Sequence, residues 1–267
     1  MLTFVNLSLI SLNIRFKEID LILEEAQKIS ETNQNLYSAL CRSAQVLLSA
    51  HFEGFLKELV KSALDDINHF SNFKSANFDL KKRFCEHFIN PSRDEKNSKK
   101  TYQKVKELIE ILDNLDTKFK REHFYSENSN PKESVLEKIA GQFGIENFFK
   151  KLQKSNLDIV FSNTNSDNST LCQNIKKHLL NSTEKYPYEI DKSILEIDED
   201  KPDADNLWSA FLSDLLKRRH DIAHGREIEN SVGHEIIESD KTKIEILAYI
   251  FTVYICEKTN PVTLDKE

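Results

Sequence analysis

Residues 207–226 read LWSAFLSDLLKRRHDIAHGR. Trp208, Phe211, Leu212, Leu215 and Ile222 fall at the spacing of one helix face, so the segment is read as an amphipathic helix from Leu207 to His224. Acidic residues lead into it and suit the positive end of its dipole. Asp203 or Asp205 is the expected cap. Gly225 supplies the stop, because glycine enters the left-handed region without a Cβ clash. The last two turns gather Lys217, Arg218, Arg219, His220 and His224, with Arg226 just beyond. It does so in a chain where 37 Lys and Arg are outnumbered by 44 Asp and Glu.

Working outward, the same helical period recurs on both sides. Downstream, a last helix is predicted over about Ser239–Glu257, burying Ile244, Leu247, Ala248, Phe251 and Ile255. At the other end, Leu9, Leu12, Phe16, Ile19, Leu23 and Ala26 predict a helix from Leu7 to Ile29. Thr32 or Asn33 can cap the next one. That helix is long, about Asn35–Asn68, with a stripe of Leu36, Leu40, Ala44, Leu47, His51, Phe55 and Leu59. Val46, Leu48 and Phe52 widen the stripe, which places the helix centrally. Between Phe70 and Lys100 the pattern breaks, and Asn90–Pro91 reads as loop. A helix is expected over Thr101–Lys118. Asn130–Pro131–Lys132–Glu133 carries the marks of a helix start, with Asn130 as cap. Shorter pieces follow around Leu136–Phe143 and Ile145–Leu152. NTNSDNST (163–170) reads as a polar loop before a short helix at Leu171–Leu180. Tyr186–Pro187 and the acidic run Glu196–Asp205 read as irregular and solvated.

Composition agrees with an all-α chain. Gly and Pro together are 10 of 267 residues, about 4% where roughly 12% is average. So few turn-formers disfavour sandwiches, propellers and Gly-rich nucleotide folds. A formal charge of −7 excludes bulk attraction as the way to hold nucleic acid, so any such binding needs a local basic patch. Cys41, Cys85, Cys172 and Cys256 are far apart and form no C-x-x-C pair, which points to free thiols in a reducing cytoplasm. The N-terminal segment has no basic start and no cleavage site, so no signal peptide is expected. No stretch reaches the roughly 18 apolar residues of a membrane span.

The chemistry concentrates in the 217–226 segment. His220 and His224 are four residues apart and share a helix face. Arg219 lies about 140° round from His224. An imidazole that moves a proton near neutral pH and a guanidinium that stabilises phosphoryl charge suit work on a phosphodiester. Basic residues at a helix C-terminus also have a plain explanation, a favourable dipole interaction of about 0.3–1 kcal/mol each. His220–Asp221–Ile222–Ala223–His224 further approximates the H-E-x-x-H zinc pattern. Asp is short for the general base there, no third ligand is evident, and His234 is the nearest candidate.

Arg219-x4-His224, with His220 directly after the arginine and Ala223–His224–Gly225 at its end, resembles the R-x4-6-H motif of HEPN domains. The setting agrees, since a short loop and a closing amphipathic helix follow. The early helix, Arg42 followed by SAQVLLSAHFEGFLKELV, resembles the second helix of the RiboL-PSP-HEPN branch, with Glu53 as its acid. The resemblance covers about residues 5–70 and 203–258. It implies an all-α, HEPN-like helical bundle formed by N- and C-terminal helices. A largely helical middle insertion, about 72–200, completes a single domain spanning 1–267.

The resemblance also implies an activity. HEPN ribonucleases dimerise, and two motifs meet in one cleft. Cleavage is metal-independent and needs no cofactor, the 2′-OH attacking the adjacent phosphorus. Carried over, His224 is the general acid and base, Arg219 holds the scissile phosphate, and His220 positions or polarises. Arg218 and Arg226 are expected backbone contacts and Glu53 a supporting residue. The expected partners are RNA, a second copy of the chain and an antitoxin or other regulatory protein, with no membrane and a cytoplasmic setting. The expected role is a bacterial toxin or antiviral-defence effector. A non-catalytic nucleotide- or protein-binding module and a zinc-dependent hydrolase using His220 and His224 are the competing classes. Phe84, Phe88, Phe148 and Phe149 could stack on bases, but their helical spacing favours core.

Overall fold

The computed structural model describes residues 1–92, 95, 98–125, 130–195, 198, 200–201, 206–225 and 232–262. Among them there are nine α-helices, three short 3-10 turns and no strand. The helices are α1 (Phe4–Ile29), α2 (Gln34–Phe70), α3 (Phe78–Ile89), α4 (Lys99–Leu112), α5 (Glu133–Gln142), α6 (Phe148–Lys154), α7 (Asn165–Ser182), α8 (Leu207–Ala223) and α9 (His234–Thr259).

The bundle is built from both chain ends. α1 lies along α2, α9 packs on α2 and α7, and α8 leans on α2. Every predicted stripe residue of α1 is buried. In α2 the buried line is Cys41, Ala44, Leu48, Phe52, Phe55 and Leu59, while Leu36 at the open first turn is exposed. α9 goes beyond its amphipathic reading. Every residue from Ile246 to Cys256 is buried, so the helix is covered on all sides, as a central helix must be.

Local signals set the helix ends. Thr3 caps α1 by accepting from the Asn6 N–H, and Asn33 caps α2, its Oδ1 accepting from the Leu36 N–H at 3.1 Å. Asp66, fully buried on α2, accepts from the N–H groups of Phe4 and Val5 at 2.7 and 2.9 Å. The Tyr188 hydroxyl donates to the same carboxylate at 2.7 Å. One acid thus fastens the start of α1 and the chain after α7 to the far end of α2.

Several expectations need correction. The polar stretch 163–170 is not a loop throughout: α7 begins within it at Asn165. Thr164 caps it, accepting from the Asp167 N–H and donating to the Asp167 carboxylate. The broken region at 70–100 contains α3, closed by Asn90 in the left-handed region (φ 46). α4 ends at Leu112, leaving Leu115 exposed. Asn130 does not cap α5, which starts at Glu133 after Lys132 with no side-chain cap. Asn206 caps α8, accepting from the Ser209 N–H at 3.0 Å. The proposed caps Asp203 and Asp205 lie outside the described residues. Phe84, Phe148 and Phe149 are core, whereas Phe88 is 57% exposed. All four cysteines are free and buried. No helix among the described residues is long and apolar enough to cross a membrane.

Candidate functional site

The site is assembled at the C-terminal end of α8. Trp208, Leu212 and Leu215 bury one face of that helix, which turns the polar residues of its last two turns outward. Gly225 follows with φ +66, the left-handed stop expected from the sequence.

Arg219 faces α2. Its Nη1 donates to Asn130 Oδ1 at 2.9 Å and lies 3.8 Å from Glu53 Oε2. Glu53 is held in turn by Lys57, whose Nζ donates to Oε1 at 2.8 Å. The guanidinium is thus aimed by an acid from α2 and an amide from the stretch before α5. Its side chain stays 26% exposed, so part of its planar fork can still meet an anion. Tyr125 is buried nearby, and its hydroxyl has no hydrogen-bond partner among the described residues. Burial pushes its phenol above the ordinary value, and the charge of Glu53 adds to that rise.

His220 and His224 occupy the next face. Both are exposed, and their ring centroids are 4.2 Å apart. The His224 backbone N–H returns to the His220 carbonyl at 3.0 Å and closes the helix. No hydrogen bond or ion pair joins Arg219 to either imidazole among the described residues. The helical period explains this, setting Arg219 about 140° from His224.

Arg218 is engaged inside the bundle. It donates to Asp240 on α9 at 2.7 Å and pairs with Asp214 at 2.9 Å, with 14% of its side chain exposed. Burial raises the Asp240 carboxyl above its ordinary value, and Arg218 works against that rise. The expected backbone contact is therefore a strut between α8 and α9. Arg226 lies outside the described residues. His51, which the sequence placed on the core stripe, is half-buried and pairs with Glu18 at 3.1 Å.

Among the described residues the metal alternative finds no third ligand at this site. The His234 imidazole lies 3.2 Å from the Tyr37 hydroxyl, and that hydroxyl also accepts from the His234 backbone N–H. Among the described residues no three His, Cys, Asp or Glu side chains gather as a metal site.

The pairing of Glu53 with Lys57 carries a readable signal, an acid and a base four apart on one helix. The contact of Asn130 with Arg219 was missed in the sequence, because 89 positions separate the two. Beside Asn130 a groove of about 810 Å³ opens between the first turn of α5 and the outer face of α8.

No curated protein and no solved structure matches the chain. The RiboL-PSP-HEPN family model matches residues 10–257. With helices from both chain ends around a central α9, and an arginine–histidine pair ending α8, the chain belongs to the RiboL-PSP-HEPN family.

Proposed function

We propose that the chain is a metal-independent endoribonuclease working at a homodimer cleft. The observation that carries this reading is the setting of Arg219. Glu53, with Asn130, holds it at the rim of α8 while two exposed imidazoles stand on the adjoining face. His224 takes the proton from the ribose 2′-OH or returns one to the leaving 5′-oxygen, the proton-transfer role an imidazole serves. Arg219 binds the scissile phosphate and stabilises charge on its oxygens. His220 orients its neighbour. The products are a cyclic phosphate and a 5′-OH.

The angular separation of Arg219 and His224 favours a second copy. A cleft between two motifs lets the arginine of either protomer serve the histidine of the other. The cellular role in this reading is a toxin or antiviral-defence effector, held in check by a regulatory protein. The test is incubation of the purified protein with tRNA and a long single-stranded RNA in chelator, beside Arg219→Ala and His224→Ala. Cleavage by the parent alone, leaving cyclic phosphates, is the expected result. Cleavage that survives both substitutions overturns the assignment.

A further inference from the structure

The groove beside Asn130 is continuous with the site in two ways. Asn130, which lines it, is the residue that accepts from Arg219. Its α8 wall also runs straight into the histidines. At about 100° per residue, Ser209, Ser213, Lys217, His220 and His224 all fall within a sector of about 80°. Ser213 and Lys217 line the groove, and His220 lies about 10 Å further along the helix axis than Ser213.

The groove chemistry is that of a nucleic-acid strand contact. Lys132 on the α5 side and Lys217 on α8 are exposed, and neither has an acidic partner among the described residues. Ser209 adds a hydroxyl that is shielded from solvent and has no hydrogen-bond partner among the described residues. Glu137 is already committed, accepting from the Phe148 and Phe149 N–H groups. That leaves Glu133 as the acceptor facing the groove. The lysines fit phosphates, the hydroxyls and Glu133 fit ribose and base amino groups, and Leu216 adds an apolar surface on which a base can lie.

We propose that this groove holds the single-stranded RNA flanking one side of the cleaved bond. Lys132 and Lys217 take its phosphates, and Ser213 and Glu133 meet sugar and base edges. The proposal rests on the endoribonuclease reading for the position of the bond, not for the binding itself. Substrates with nucleotides on the groove side are therefore held better than substrates ending at the cleaved bond.

The test uses the full chain carrying His224→Ala, which binds without cutting, and a fluorescent single-stranded RNA oligonucleotide. Anisotropy is followed over a salt series. Adding Lys132→Ala and Lys217→Ala is expected to weaken binding at least tenfold. It should also flatten the slope of log affinity against log salt by about 0.7 per lysine. Lys17→Ala, an exposed cation on α1, is the control and leaves both unchanged. In the chain with His224 intact, the same two groove substitutions raise KM and spare kcat. Unchanged binding in the groove variant, loss equal to that of Lys17→Ala, or no RNA binding at all overturns the groove. Cleavage by the parent together with an unaffected groove variant defeats the groove and leaves the site standing. RNA held through the lysines by a parent that never cuts defeats the catalytic reading and leaves the groove standing.

Discussion

Arg218→Ala separates the structural role of this residue from the RNA-contact role expected from the motif. The arginine spans α8 and α9, donating to Asp240, whose side chain is only 7% exposed. Asp214, on the solvent side, adds little. Deleting one partner of a buried pair leaves the other charge uncompensated, at a cost of about 3–5 kcal/mol. For a chain of this size that lowers Tm by on the order of 10 °C. The pH dependence has a definite sign. Burial raises the folded Asp240 carboxyl, so the folded state holds its proton over a range where the unfolded state has lost it. Stability from this group therefore falls as pH rises from the ordinary carboxylate range through the folded value. Removing Arg218 deletes the group that opposes the rise and widens that window. The deficit of Arg218→Ala relative to the parent should shrink on acidification, and adding Asp240→Asn should recover most of it at neutral pH. Urea titrations of the three variants at several pH values measure this. A parent-like urea midpoint for Arg218→Ala, together with lost RNA affinity, would refute the strut.

Glu53→Gln removes the charge that aims Arg219 and is expected to lower kcat between about tenfold and a hundredfold, since small misplacements are costly. Its thermal melt should stay close to that of the parent, because Glu53 and its partners lie at a partly solvated rim. Asp66→Ala strands two N–H groups and the Tyr188 hydroxyl in the core; a loss of about 3 kcal/mol or more is expected in urea titration. Gly144→Ala meets both a left-handed backbone (φ +77) and Asp79 Cβ at 2.5 Å, whereas Gly225→Ala (φ +66) meets nothing within 4 Å among the described residues. The first should cost clearly more stability than the second, for which only the left-handed term of about 1 kcal/mol applies.

The core helices were legible because their burial is periodic. Leu9 to Ala26 repeats at helical steps, and every one of those positions is inside. The motif was legible because Arg219, His220 and His224 are close in sequence. What escaped notice follows from how signals compete. Asn and Ser mark both turns and helix starts, so 163–170 read as loop when Thr164 was beginning a helix. Asn130 before a proline has the form of a cap, yet its side chain reaches across to α8 instead. Arg218 and Arg219 are adjacent cations with no local difference between them. Only the helix period, which sends one toward Asp240 and the other toward Glu53, gives them different partners.

The reach of Asn130 ties the site to the cohesion of a distant stretch of chain. A single amide contact at the rim cannot offset the loop-closure entropy of joining positions 89 apart. It exists because α5 and α6 are seated on α8. Local opening of α5 and α6 would release Asn130 while leaving α1, α2 and α9 assembled, and of its partners among the described residues Arg219 would then keep Glu53. Hydrogen exchange in Glu133–Lys154 should therefore follow the setting of the arginine more closely than the global unfolding free energy does.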